Sequence, residues 1–411
     1  MAVDVDRLVG EVLATEEGRA DPYSRYEAVR STAPVHRSSE SGAWYLTRYV
    51  DCKNVLHDPR FGRGTEFGGD HFGGLGGTDA ARRRQELTSG ARNMLFADPP
   101  DHTRLRGLVS RAFTPRRVET LRTTIVALVE PLLDAMADVG TVDVLDALAF
   151  PLPVAVIGEL IGVPPDDRPA FRSLVRDSTA TIEALPAPGA LERAEHAMVT
   201  MADYFGKLVE QRRAEPADDL LSAMIAVEDA GDMLSIDELV ATAILLFGAG
   251  FETTTNLIGN GLFSLLRHPA QLDRLRTDPT LIPAAVEEML RYESPVQLDA
   301  RLALESAEVA GHSVDRGTLV ITFLGAANRD PEVFTAPDRF DIGRANNHPL
   351  SFGWGIHHCL GTHLARAEGQ IVLDRLLDRF SSIELEGPEP HWRPSVTLRG
   401  LEHLCVEVTP R

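Results

Sequence analysis

The 411 residues carry 41 Lys and Arg against 61 Asp and Glu, a formal net charge of −20, with 44% hydrophobic residues. So acidic a chain has no general affinity for nucleic acid or anionic lipid, because phosphate binding needs clustered Lys and Arg. Three scattered cysteines, Cys52, Cys359 and Cys405, do not make a disulfide framework, which fits a reducing compartment. The first residues, Met1 to Arg7, are acidic and lack the basic start and apolar core of a secretion signal. The most apolar stretches, 147–163 and 241–251, are broken by Pro151, Pro153 and Glu159 or ended by Glu252, short of the ~20 residues that span a bilayer. The expectation is a soluble cytoplasmic protein. No linker or repeat divides the chain, so residues 1–411 read as one unit.

In chain order, residues 43–49 hold Trp, Tyr, Leu and Thr after turn residues, which predicts a short strand. From 62 to 77 glycines surround Phe67, Phe72 and Leu75 just after Phe61: either a disordered segment or a lid over a pocket. Asp98-Pro99-Pro100-Asp101 opens a helix in which His102 and Arg106, four apart, share a face. A buried ligand with two carboxylates needs such partners, since unpaired buried charge is costly; a solvated face is the alternative. Between His102 and Arg122 six arginines (104, 106, 111, 116, 117 and 122) stand against Glu119 alone. That face is either solvated or docks something acidic.

Ser235-Ile236-Asp237-Glu238 is a capping box, and apolar periodicity then runs to His268-Pro269. At ~1.5 Å per residue such a helix is about 50 Å long and crosses the molecule. Its centre is weak: Gly248, Gly250 and Thr253-Thr254-Thr255 are poor interior residues, glycine by about 1 kcal/mol relative to alanine. That predicts a local distortion that opens space for a ligand. Glu252 and Thr253 put an acid and an alcohol into this centre. In one reading Thr253 bonds back to the carbonyl one turn earlier and Glu252 pairs with an arginine. In the other, the hydroxyl sits beside the gap left by small Ala249, holds a small ligand and relays protons.

Further on, Glu288 and Arg291 share a helix face, a pair that is uninformative alone. The loop residue Arg344 could complete a network with them. Residues 308–320 read as two short strands around Gly311 and Gly317, and the remainder is mostly helix. The loop Ser351-Phe352-Gly353-Trp354-Gly355-Ile356-His357-His358-Cys359-Leu360-Gly361 then runs into an amphipathic helix. A thiol there meets unpaired N–H groups and the positive end of the macrodipole, which predicts a lowered pKa and a metal-bound thiolate. On the residues alone three readings stay open: a structural cysteine, a zinc or copper site with His357, His358 and His363, or a haem ligand. No further cysteine pair supplies the remaining zinc ligands, and the glycines and Phe352 suit a flat apolar cofactor.

Together these residues resemble the cytochrome P-450 family over nearly the whole chain. Phe352-Gly353-x-Gly355-x-His357-x-Cys359-Leu360-Gly361 is similar to its haem-binding signature, and Ala249-Gly250-x-Glu252-Thr253 to the oxygen-activation motif of its long helix. Glu288-x-x-Arg291 with Arg344 resembles its structural triad, Arg339 being a rival for the third place. His102-x-x-x-Arg106, Arg301 and His357 resemble its propionate-binding positions, and residues 327–331 its soluble bacterial branch. Trp354 and Phe251 stand where the family often has His.

The resemblance implies a mainly α fold with small β-sheets, with haem b (iron protoporphyrin IX) ligated by Cys359 and flanked by Phe352, Ala249, Leu360 and Gly361. It implies a monooxygenase that inserts one atom of O2 into a lipophilic small molecule by hydroxylation or epoxidation, as in natural-product tailoring. Electrons would pass from NAD(P)H through a ferredoxin reductase to a ferredoxin docked on the arginine-rich face. Thr253 and Glu252 would be the catalytic pair that supplies protons. The substrate would be bounded by the lid and its continuation to Asn93, by 179–189, Leu245, Ala249, Gln297, Leu298 and Leu401 of a C-terminal hairpin. Rival classes are a peroxide-driven haem-thiolate peroxygenase, a non-catalytic haem sensor and a helical zinc protein. The acid–alcohol pair counts against the first two, which dispense with a proton relay for oxygen.

Overall fold

The computed structural model describes residues 4–64, 67, 72, 78–89, 93–227 and 232–411. The helix Ile236–Leu266 begins at the expected capping box: Ser235 Oγ accepts from Glu238 N, and Glu238 Oε2 accepts from Ser235 N. It continues for 31 residues without the central distortion expected from its composition. The glycines answer instead to packing. A Cβ at Gly250 would lie 2.9 Å from Ile157 Cδ1 on the helix Pro151–Ile161, and one at Gly259 would press on Leu145. The threonines are accommodated by bonding back: Thr253 Oγ1 donates to Ala249 O at 3.0 Å and Thr254 Oγ1 to Gly250 O at 3.1 Å.

This central helix organises the largest apolar cluster. Phe247 and Phe251 meet Phe171, Phe205 and Ile157 on one side, and Ile258 and Leu262 lie in the same cluster as Ile371, Val372 and Leu376 of the helix Thr362–Arg379. Each fully buried aromatic or aliphatic side chain contributes about 1.5–3 kcal/mol. A helix so enclosed can present reactive groups only where a neighbour is withheld.

The predicted N-terminal strand is Trp44–Leu46, within a five-stranded sheet of order Val35–Arg37, Trp44–Leu46, Leu319–Thr322, Asp299–Ala303, Phe61–Gly62. Neighbours are antiparallel except Trp44–Leu46 with Leu319–Thr322. The register sets Asp299 opposite Thr322 and Arg301 opposite Val320, while Phe61–Gly62 on the edge leads directly into Arg63. Residues 308–320 contribute to a hairpin, Ala307–Val309 with His312–Val314 around Gly311, and to the start of Leu319–Thr322. A third sheet joins Thr141–Asp143, Cys405–Pro410 and Phe380–Leu385. Of the predicted lid 62–77, only 62–64, Phe67 and Phe72 are among the described residues; Phe67 and Phe72 join a cluster with Ala184, Leu185 and Leu298. No helix among the described residues is long and apolar enough to cross a membrane.

Candidate active site

The Cys359 loop is held from behind by a buried charge network. Glu288 and Arg291, on the helix Ile282–Tyr292, are both fully buried, and Arg291 Nε and Nη2 donate to the carboxylate at 2.8 Å. Arg344 Nε reaches Glu288 Oε2 at 3.0 Å, joined by Asn347 Nδ2 at 3.0 Å and Asp341 N at 2.8 Å. Arg344 is therefore the third member; Arg339 offers only its carbonyl, which accepts from Arg344 and Arg291. Such a set of charge-assisted donors offsets the desolvation of one carboxylate. Arg291 Nη1 also donates to Asn328 O at 2.9 Å, and Asn328 in turn accepts from Leu350 N at 2.6 Å and donates to Ser351 Oγ at 2.9 Å. The brace ends where the cysteine loop begins.

Within the loop Gly353 and Gly355 have φ of 67° and 74°, in the left-handed region, and a Cβ at Gly355 would collide with Leu56 O. Cys359 N donates to Phe352 O at 2.9 Å and Thr362 Oγ1 donates to Cys359 O at 2.8 Å. Cys359 precedes the helix Thr362–Arg379 by three residues, yet the lowered thiol pKa expected from that position is not found. Burial pushes the thiol up, against the Gly361 N–H, the Thr362 hydroxyl, Arg106 and Arg366. Desolvation wins because the helix dipole is felt only within its first turn. A thiolate here needs a cation at the sulfur itself.

Cys359 is accessible, although the loop that carries it is surrounded by protein on most sides. On the central helix Ala249 is exposed and Leu245 and Thr253 are half-buried, in a helix otherwise largely enclosed; Phe352, Leu360 and Gly361 of the cysteine loop are half-buried. Among the described residues no three His, Cys, Asp or Glu side chains are grouped to hold a metal, and His363 points to the exterior. The zinc arrangement finds no ligand set.

At the sheet end of the site, the rings of His102 and His357 are 4.3 Å apart. Arg301 donates to Asp299 Oδ1 at 2.8 Å, and so does Arg63, whose Nη1 also reaches Ala300 O at 3.2 Å. Arg106 Nη2 donates to His358 O at 2.6 Å. Burial, then Arg106 and Arg63, push His102 down to about 4, and burial with Arg63 and Arg301 also pushes His357 down. Against the burial that would raise it, Arg301 and Arg63 hold the Asp299 carboxyl well below the usual range. Both ring nitrogens of His102, Nε2 of His357 and Nε of Arg63 are buried with no hydrogen-bond partner among the described residues. A buried donor left unpaired costs about 1–3 kcal/mol, so the cluster fits the carboxylates of a ligand. Arg63 and Asp299 were not among the residues expected from the sequence, because only strand pairing brings them here.

Glu252 is buried and paired with Arg393, whose Nη2 also donates to Asn256 Oδ1 at 2.8 Å; Glu252 Oε2 has no hydrogen-bond partner among the described residues. Both parts of the structural reading of Glu252 and Thr253 are thus present. Successive helix residues are ~100° apart, so half-buried Thr253 and buried Glu252 lie on adjoining flanks of the helix. Leu298 and Leu401 are buried, Leu298 beside Phe72 and Ala184. Gln297 departs from its expected place in the substrate wall. Its amide donates to Ser294 O at 2.9 Å and Tyr23 Oη at 3.2 Å and accepts from Tyr26 Oη at 3.3 Å, so it points into the N-terminal packing. The arginine-rich face is also partly neutralised: Arg104 pairs with Glu238 and Asp232, Arg117 with Asp218, and Arg122 with Glu119. Arg111 and Arg116 are exposed.

A family model described as Cytochrome P450 matches residues 182–399. The chain is 44% identical to cytochrome P450 107B1 of Saccharopolyspora erythraea, over 97% of this chain and 98% of that one. It is 40% identical to the polyketide biosynthesis cytochrome P450 PksS of Bacillus subtilis, over 96% and 97%. Among solved structures, P450BioI in complex with an acyl carrier protein ligated to hexadec-9Z-enoic acid is similar with a TM-score of 0.88 at 38% identity, covering 96% of this chain and 100% of that one.

Proposed function

The chain belongs to the cytochrome P450 family, oxidoreductases of the monooxygenase class that use haem iron, and we propose that it inserts one oxygen atom into a lipophilic natural product. The observation that carries this reading is an accessible thiol, Cys359, two residues from His357, whose ring packs on His102 in a cluster with unpaired buried nitrogens on His102, His357 and Arg63. Haem b is the group that fits both: Cys359 would hold its iron, and Arg63, His102, Arg301 and His357, with Arg106, would meet its propionates. When bound, the haem supplies reductive activation of O2, which a thiolate ligand favours.

The chain's own residues supply the rest. The Gly361 N–H and the Thr362 hydroxyl temper the charge on the cysteine sulfur. Thr253, by releasing Ala249 O, turns its hydroxyl toward the cleft and holds a proton there. Glu252 replenishes that proton through water from the side of Arg393, which is 15% exposed. Leu245, Ala249, Leu298 and Leu401 exclude water and favour an apolar substrate; kinship with a polyketide biosynthesis enzyme supports a tailoring role. Electrons would come from NAD(P)H through a ferredoxin reductase and a ferredoxin docked near Arg111 and Arg116, in the cytoplasm.

The test is the absorption spectrum of the dithionite-reduced protein under carbon monoxide. A strongly red-shifted Soret band is expected from thiolate-ligated haem, and the absence of any Soret band would sink the reading.

A further inference from the structure

Two buried carboxylates on different elements are held by one short stretch of chain near the C-terminus. The segment from Trp392 to Leu401 closes on itself through Arg393 N to Gly400 O at 2.9 Å and the bridge between Trp392 and Leu401. It is fastened to the body by Gln297 N to Thr397 O and Arg399 N to Pro295 O, both 2.9 Å. Ser395 Oγ donates to Glu183 Oε1, while Val396 N and Thr397 N donate to Glu183 Oε2 at 3.1 and 3.2 Å. From the same segment Arg393 holds Glu252 and Asn256. Gly400 packs so closely on this pair that a Cβ would collide with Asn256.

Glu183 belongs to the connection between the helices Phe171–Ser178 and Ala190–Ala214. The residues after it, Ala184 and Leu185, pack with Phe72, Leu298 and Val396 in one cluster. Burial pushes the Glu183 carboxyl up despite its donors, so it is held by geometry and not by a charge partner. The helix just before it carries Arg176, whose charge is favoured by Glu252 and whose Nε has no hydrogen-bond partner among the described residues. Arg172, which pairs with Asp146, also acts on Arg176. Glu252 is therefore paired with Arg393 and feels the charge of Arg176, and Glu183 joins the stretches of chain that carry the two arginines.

We propose that the segment 392–401 is a mechanical link: it ties the position of the 183–189 connection, through Glu183, to the placement of the Glu252 carboxylate, through Arg393. Arg393 is then a positioning residue for proton delivery. A molecule that displaces the connection or the Leu398 and Leu401 side of the segment shifts Arg393 relative to Glu252. Proton supply thereby depends on what occupies the cleft. This rests on the monooxygenase reading for its consequence, but the link itself is a property of the fold.

The holoenzyme is compared with Glu183→Ala, Glu183→Gln, Arg393→Gln and Arg393→Lys. Hydrogen exchange at Val396 and Thr397 should rise about tenfold in Glu183→Ala and less in Glu183→Gln, whose amide oxygen still accepts. The rate at which imidazole binds the haem, followed by the Soret shift, should increase in the same order. In NAD(P)H-driven turnover with a surrogate ferredoxin, Arg393→Gln should shift the pH profile and solvent isotope effect of peroxide release, with Arg393→Lys restoring most of the wild-type behaviour. Glu183→Ala should shift that profile in the same direction, and the double variant should not add. The link is overturned if Glu183→Ala loosens the segment while the profile stays put, or if Arg393→Gln leaves the profile unchanged. Should Glu183→Ala not fold, Glu183→Gln carries both arms. A reduced protein without the thiolate-type band would overturn the monooxygenase reading alone, because hydrogen exchange at Val396 and Thr397, and at the backbone around Glu252 in the same variants, reads the link without haem or turnover.

Discussion

Arg344 Nε meets Glu288 Oε2 at 3.0 Å across 56 residues of chain, and fully buried Arg291 binds the same carboxylate. This contact connects the helix Ile282–Tyr292 to the approach of the Cys359 loop. It makes the brace, not the loop's own sequence, responsible for where the sulfur stands.

Removing Arg344 leaves a buried carboxylate short of one charge partner, so Arg344→Ala should destabilise the protein by about 3–5 kcal/mol. Arg339→Ala, which keeps the backbone carbonyl that the network uses, should cost less than about 1 kcal/mol. Urea unfolding of the two variants separates them, and equal losses would assign the third place wrongly.

Arg63 lies against Asp299 and beside the unpaired histidine nitrogens. Arg63→Ala should accelerate haem loss to apomyoglobin about tenfold, the worth of one charge-assisted bond, while Arg63→Lys should retain part of it. An unchanged transfer rate in Arg63→Ala would remove Arg63 from the cofactor site.

His102 is held at about 4 against an ordinary 6.5. In haem-free protein the unfolded chain therefore takes up a proton below pH 6.5 that the folded chain refuses until about pH 4. The stability contributed by neutral His102 is fully present above pH 6.5 and declines as pH falls through that window, by at most ~1.4 kcal/mol per pH unit. Urea midpoints at pH 7 and pH 5 should differ more for wild type than for His102→Gln; parallel slopes would contradict the assignment.

Thr253 gives its hydroxyl only to a helix carbonyl, so Thr253→Ala should cost under about 1 kcal/mol in stability and leave haem binding intact. Peroxide released per NAD(P)H oxidised should rise severalfold. Unchanged coupling, measured with any substrate that turns over, would exclude Thr253 from proton delivery.

Arg111 and Arg116 are exposed on the arginine-rich face, and Arg122 is half-buried beside Glu119. Arg111→Glu and Arg116→Glu should slow reduction by a ferredoxin and flatten its salt dependence, with Arg122→Glu changing it less. Equal effects at all three positions would mean that net charge, not this surface, governs docking.

Much of this site was legible in the chain because its signals are local. The capping box at Ser235 and Glu238, the i,i+4 pair His102 and Arg106, and the glycines that let the Cys359 loop turn each depend on residues within a few positions. What lies within a turn of helix or a tight loop is set by nearby φ/ψ preferences and hydrogen bonds, so residue order by itself determined these elements and their resemblance to a haem-thiolate family. Tertiary structure alone decided the rest. Arg63 joins Asp299 through strand pairing, Gln297 turns to Tyr23 and Tyr26 and not to the cleft, and the Cys359 thiol is raised by burial where helix position predicted the opposite. Arg393 finds Glu252 from 141 residues away. Desolvation and long-range charge pairing depend on which surfaces are brought together, and no local pattern encodes that meeting.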